Sequence, residues 1–238
     1  MKNSQLKPPE SLSAFTGAEL LITLAVLALL TLVVLPALAN SRSRSSRVIC
    51  LNNLRQIGVA QHLWGNDHND LPPVMVPINE GGTRAHPLAA NTWLHFAWLS
   101  NELSSPKLVF CPSDTGKPAD DFTGNPNSGY LHPNFANRAT SYFTAYSSFS
   151  ADLQDAAMNG DRNVTFDQAG VGCSLPNSAY SISSPQGVGG QWKAGLHEFV
   201  GNVQFRDGRV TMLSSAELRI AMTRPLFDNS SKHIAIPR

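Results

Sequence analysis

Between positions 15 and 38 the chain carries a single ionisable side chain, Glu19, in the run FTGAELLITLAVLALLTLVVLPAL. A helix on this run is apolar all round, with no polar stripe to turn toward water, so it does not suit the surface of a soluble domain. Its length suits a membrane instead, because about 20 apolar residues at 1.5 Å each cross the ~30 Å of hydrocarbon. A membrane-embedded helix is therefore expected to begin near Phe15. Two alternatives share the composition. A secretory signal peptide has a shorter apolar core followed by a small-residue cut, for which only Ala37, Leu38 and Ala39 offer a site. A plain signal anchor is the other. Glu19 asks for a role, since a carboxylate at membrane depth is costly unless paired. A position near enough to the interface to be solvated is the alternative.

The rest of the 238 residues is more polar than the 42% hydrophobic average implies, because so much of that fraction sits in the one run. Charged residues make up 15%, sparse beside the ~25% of typical soluble domains. The 17 Gly and 16 Pro point to a loop-rich domain. A net charge of +1 carries no electrostatic footprint for nucleic acid, and no such partner is expected. Arg42, Arg44, Arg47 and Arg55 form a local basic cluster that suits a solvated helix face or contact with lipid headgroups. Lys2 and Lys7 precede the span and more arginines follow it, so charge counting alone puts the C-terminal part in the cytoplasm.

Beyond Pro36 the chain stays helix-compatible. Pro36 itself removes one helical hydrogen bond, and a kink or local opening is expected there. Leu51, Leu54, Ile57 and Trp64 then recur at helical spacing with Arg55, Gln56 and Gln61 between them, until Gly65-Asn66 and Pro72-Pro73 end the helix. Near the C-terminus Val203 and Phe205 alternate with polar neighbours, Asp207-Gly208 supplies a tight turn, and Val210, Met212 and Leu213 return, which is a β-hairpin pattern. His197 stands just before the first strand, placed to bond to the turn or a neighbouring loop in a structural role.

The cysteines, Cys50, Cys111 and Cys173, are too far apart for a CxxC motif. An exported domain permits one disulfide, expected as Cys50 with Cys111, against the alternative of three unpaired small apolar residues. No cofactor and no metal site are expected. Asn66, Asp67, His68, Asn69 and Asp70 concentrate oxygen ligands in the manner of a calcium loop, but lack the glycine and terminal glutamate of an EF-hand, so a helix-ending turn is preferred. Asp161 and Asp167 are a second, weaker option for a cation. The seven histidines show no paired zinc spacing, and no nucleophile elbow, P-loop or dinucleotide fingerprint is present, so no catalytic residues are assigned. Trp64, Trp93, Trp98 and Trp192 are expected as core or interface anchors rather than a sugar platform. Tyr130, Tyr142 and Tyr146 lie in a Ser/Asn-rich region that need not bind anything.

The residues at the start of the span, Ser13-Ala14-Phe15-Thr16-Gly17-Ala18-Glu19-Leu20-Leu21, resemble the type IV prepilin signal G-F-T-L-x-E-L, with Ala14 in place of the usual Gly and Gly17-Ala18 in place of a bulky apolar pair. The stretch from Cys50 to Gly58, containing Asn53 and Arg55, resembles the C-x-N-N-L-R-Q-I-G element of pseudopilin-like proteins. That group also carries a C-P-S-D element, similar to Cys111 to Asp114 here, and a recurring stretch like Gly160 to Asn163. It ends in His, nine residues and Asp-Gly, as His197, Asp207 and Gly208 do. The likeness covers residues 15–213, with less character over 74–108.

The resemblance implies cleavage by prepilin peptidase between Ala14 and Phe15, N-methylation of Phe15, and pairing of Glu19 with the amine of a neighbouring subunit. It implies a leader at 1–14, a transmembrane and spine helix at 15–66, and an extracytoplasmic head at 67–238. The fold expected is α+β: a long N-terminal helix packed on a mainly antiparallel sheet with long loops. The function expected is structural, not enzymatic. The chain would be a pilin or pseudopilin-like subunit of a type IV pilus or type II secretion system, in the bacterial inner membrane with its N-terminus cytoplasmic. Its partners would be prepilin peptidase, other pilin or pseudopilin subunits and membrane lipid. Calcium in the head is the one cofactor alternative the family suggests. A membrane-anchored binding protein, for polysaccharide, is the alternative function.

Overall fold

The computed structural model describes residues 16–89, 91–146, 155–166, 179–182, 190–223 and 232–237. Ala14, Phe15, Asp167 and Cys173 lie outside the described residues. Helix α1 spans Gly17–Asn66. Thr16 and Glu19 open it reciprocally: the Thr16 backbone N–H and hydroxyl both donate to Glu19 Oε2 at 2.8 Å, and the Glu19 N–H donates to Thr16 Oγ1 at 3.3 Å. This is a capping box, which satisfies donors a helix start otherwise leaves orphaned. The helix passes through Pro36 without ending, so no local opening appears there. One missing N–H is tolerated where the rest of the ladder stays intact. At the other end Asn69 and Asp70 take left-handed φ of 57° and 58°, a conformation these two residue types reach more easily than most.

The chain divides into two compact units, Met1–Arg44 and Ser45–Arg238. In the first, Gly17–Leu35 is an N-terminal apolar helix segment able by length and composition to cross a membrane, as an anchor or a signal sequence. Every side chain at positions 17–35 is exposed.

The second unit is α+β. Its strands are β1 (Tyr142–Tyr146), β2 (Ala157–Asp161), β3 (Val164–Phe166), β4 (Ala179–Ile182), β5 (Gly190–Trp192), β6 (Val200–Phe205), β7 (Val210–Ser214) and β8 (Lys232–Ala235), with short helices α2 (Thr92–Ala97) and α3 (Ser215–Thr223). Six strands form one sheet in the order β4-β8-β1-β2-β6-β7, every pair antiparallel, and β3 pairs with β5 separately. Residues 67–141 form a long connection holding α2 and short 3₁₀ turns.

Successive side chains of a strand point to opposite faces, and β1 shows the result. Tyr142 joins a cluster with Cys50, Leu54, Ile57, Ala60 and Trp64 of α1 and with Phe96, Leu99 and Leu103 of the long connection. Phe143 joins Trp192, Val203, Phe205, Leu213, Leu218 and Ile234 on the other face. The sheet is thus covered on both sides, by the later part of α1 and by α3 with β3 and β5. The hairpin β6–β7 forms in the expected place, with Gln204 opposite Val210. Its polar positions do not face water, however. Asn202 and Gln204 are buried, because α1 lies on that face and turns the alternation into a doubly covered strand. Asn159 Nδ2 donates to Gln204 Oε1 at 2.6 Å and to Gln61 Oε1 of α1 at 2.8 Å, so an amide chain joins helix to sheet.

Gly201 on β6 sits under the Trp192 ring. A Cβ there would lie 2.4–2.6 Å from three ring carbons. Gly201→Ala must displace a packed indole, and a loss of roughly 1–3 kcal/mol is expected from such overpacking. The urea midpoint of the full chain measures it, and an unchanged midpoint would refute the close contact.

Candidate functional site

Three motif residues far apart in sequence meet at one buried point. Cys50, on the inward face of α1, is disulfide-bonded to Cys111 in the loop after the 3₁₀ turn Pro106–Val109. The neighbouring Asn53 Nδ2 donates to Phe110 O at 3.0 Å, and the Tyr142 hydroxyl donates to Cys50 O at 3.4 Å. Helix, loop and sheet are therefore pinned together at one turn of α1. Burial pushes the Tyr142 hydroxyl well above its ordinary range, and the nearby Asp161 adds to the shift.

His197 arrives from the loop before β6 and is 1% exposed. Its Nε2 lies 3.7 Å from Cys111 Sγ and 3.6 Å from Asp161 Oδ2. Asp161 ends β2 and is fully buried. Its Oδ2 accepts from the Asn202 backbone N–H at 2.6 Å and from Asn202 Nδ2 at 3.0 Å. Burial raises the Asp161 carboxyl to about 7, against the lowering effect of the Asn202 bonds and with a further upward push from Asp114. Burial also lowers His197 to about 4, with the Arg47 guanidinium contributing. Removing charge from both groups is the ordinary response to a dry site. Asp161 Oδ1 and His197 Nδ1 have no hydrogen-bond partner among the described residues.

Around this node stand two ion pairs. Arg162 Nη2 bonds Asp114 Oδ1 at 2.6 Å, and Ser141 Oγ donates to Asp114 Oδ2 at 2.6 Å. Arg47 meets Glu198 at 3.4 Å, where Glu198 is largely exposed and the pair is correspondingly weak. Glu198 and Phe199 both hold left-handed φ, 56° and 65°. Two such non-glycine residues in a row cost about 1 kcal/mol or more each, and they form the bend that carries the chain from His197 into β6. Beside the node opens a cleft of about 570 Å³ lined in part by Asp114, Arg162, Asn163 and Lys193.

The remaining candidates fall elsewhere. Arg55 is exposed and donates to Asn52 Oδ1 at 3.4 Å. Asp207 and Gly208 form the β6–β7 turn, with Arg209 N donating to Asp207 Oδ1 at 2.9 Å and Gly208 at φ 83°. His197 bonds toward the disulfide loop, not toward that turn. Glu19 and Pro36 belong to α1 in the first unit. His68 stacks on Trp64 at 3.5 Å and its Nδ1 bonds Trp64 O, so the oxygen-rich stretch after α1 is occupied in ending the helix. Trp64 and Trp192 are core residues, while Trp93 and Trp98 are half-buried.

Asp161 is the residue whose importance the sequence understates. It enters as a weak cation ligand or as part of Gly160 to Asn163, yet it joins His197 to Asn202 inside the fold. Cys50, Cys111 and His197 present their ligand atoms within 4.8 Å of one another, the one such sulfur and nitrogen set among the described residues. With the disulfide closed the sulfurs offer no thiolate, which is the form that attacks and ligates. Compared with protein-family models, with curated proteins and with solved structures, the chain returns no match.

Proposed function

We propose that the chain is a membrane-anchored, pseudopilin-like structural subunit, cut between Ala14 and Phe15 and assembled through its N-terminal helix. The observation that carries this reading is α1. Its residues at 17–35 are exposed and, apart from Glu19, Thr23 and Thr31, apolar, while Cys50, Leu54 and Ile57 of the same helix are wholly buried in the second unit's core. A helix built this way suits a lipid phase at one end and a folded domain at the other. The inner membrane, a cytoplasmic N-terminus, and pilin or pseudopilin neighbours follow from the reading. Mass spectrometry of the chain from bacterial membranes is expected to find an N-methylated Phe15 start. An intact Met1, or a start after Ala39, overturns it.

Glu19 has two jobs to separate. The capping box accepts Gln in place of Glu, whereas a subunit-to-subunit charge pair does not. Glu19→Gln, like Glu19→Ala, is expected to lose incorporation into filaments, but unlike it to keep the helix start. Full incorporation of Glu19→Gln would reduce Glu19 to a cap.

The cleft favours a second reading, a membrane-anchored extracytoplasmic binding protein for polysaccharide. Asn163 is 6% exposed, and its Oδ1 has no partner among the described residues. Anchored chains that retain polysaccharide and are indifferent to Glu19→Ala would select it.

A further inference from the structure

We propose that the same buried point is a redox-gated metal site: with the Cys50–Cys111 bond opened, Cys50, Cys111 and His197 bind one zinc-class divalent cation, with Asp161 beside His197 as a supporting carboxylate. The inference goes beyond the membrane role above and does not depend on it.

The geometry supplies the donors. Cys50 Sγ, Cys111 Sγ and a ring nitrogen of His197 all lie within 4.8 Å of one another, Nε2 standing 3.7 Å from Cys111 Sγ, and each residue is buried. In a tetrahedral zinc site, Zn–S near 2.3 Å and Zn–N near 2.0 Å place neighbouring ligand atoms roughly 3.5 Å apart. Separating the two sulfurs by side-chain rotation therefore brings the set close to that spacing. The three ligands come from α1, from the loop after Val109 and from the loop before β6, so the fold assembles a site that no local Cys/His spacing announces.

One unpartnered atom points the same way. Asp161 is fully buried, its Oδ2 is 3.6 Å from His197 Nε2, and its Oδ1 has no partner among the described residues. A buried carboxylate oxygen without a hydrogen bond is costly, and positive charge placed nearby offsets that cost. His197 Nε2 is the nitrogen turned toward the sulfur. The surrounding Leu54, Tyr142 and Leu196 are buried and belong to one hydrophobic cluster, which keeps competing water away.

The chemistry balances with a dithiol as reductant. The dithiol gives two electrons and two protons to the protein S–S bond and becomes a disulfide itself. Cys50 and Cys111 are left as thiols. Binding of the cation then displaces their two protons and forms two metal–sulfur bonds. A small-molecule disulfide reverses both steps: it takes the two electrons and, with two protons from solvent, becomes a dithiol, while the re-formed Cys50–Cys111 bond expels the ion, so disulfide and metal exclude one another.

The test uses the full chain in detergent micelles, with Cys173→Ser to remove the third thiol. Oxidised and dithiol-reduced protein, desalted without oxygen, are titrated with Co²⁺. The reduced chain is expected to take up one ion, showing thiolate-to-cobalt charge transfer and the strong visible bands of a tetrahedral site, bleached by Zn²⁺. The oxidised chain is expected to show neither. His197→Ala and the milder Asp161→Asn are each expected to weaken uptake roughly tenfold or more, with circular dichroism reporting that each variant is folded. A reduced chain that binds no cobalt, or folded variants that both bind as tightly as the parent, overturns the proposal.

Discussion

Replacing Cys50 and Cys111 together by alanine is expected to cost the folded chain about 4 kcal/mol. The bond closes a loop of sequence separation 61, and chain-entropy arguments assign about that much to restraint of the unfolded state by a loop of this size. The native side of the balance adds to the loss. Both cysteines are wholly buried in the cluster formed by α1, the long connection and Tyr142, so shortening them also removes packed sulfur. The double variant avoids leaving one reactive thiol in the core. Urea titration of the full chain in detergent, followed by tryptophan fluorescence, reads the change. A loss below about 1 kcal/mol would mean that the crosslink hardly restrains the denatured chain.

His95 is expected to make the protein acid-sensitive. It is 3% exposed, its Nε2–H donates to Ala89 O at 2.9 Å, and the Thr83 hydroxyl donates to its Nδ1 at 2.8 Å. Burial lowers it from 6.5 to about 4, with His86 adding slightly and the Ala89 bond opposing. Between those values the unfolded chain holds a proton that the folded chain does not. The contribution is whole above 6.5 and is lost as pH falls toward 4, a change of about 3 kcal/mol. His197 acts in the same sense. Asp161, raised to about 7, acts in the opposite one, its contribution being lost as pH rises through that value. The raw pH profile therefore mixes signs, and the comparison of wild type with His95→Gln isolates the term. Their stability difference is expected to shrink by about 3 kcal/mol on going from neutral pH to about pH 4. A difference that stays constant with pH would refute it.

Much of the architecture is legible before any coordinates. The apolar run and the Gly65-Asn66 stop mark the two ends of α1, and Asp207-Gly208 marks its hairpin, because each signal is local. The Thr16-x-x-Glu19 spacing is a capping pattern in its own right, although the cost of burying a charge draws attention first. What stays hidden is what depends on distant chain. Asn202 and Gln204 read as the wet face of a strand, and only the placement of α1 on that face buries them. Asp161 reads as a weak ligand carboxylate or as part of the Gly160 to Asn163 stretch, since nothing nearby in sequence says that His197 and Asn202 will enclose it. β8 pairs with β1 and β4 across long separations, and its sequence carries no signal of that address. The Cys50–Cys111 pairing was expected and is present, while the arrival of His197 and Asp161 beside it was not legible.

The disulfide also decides how the molecule bears tension. A pull on the N-terminal end of α1 passes along the helix to Cys50 and there crosses the covalent bond to Cys111. The segment from Leu51 to Phe110, with the rest of α1 and the whole of α2, lies off the load path. Noncovalent packing of α1 on the sheet still resists peeling, but it no longer has to keep that segment from extending. Those residues can extend under force only after the sulfur–sulfur bond is broken, so a chemical reductant sets how much chain a pull can draw out.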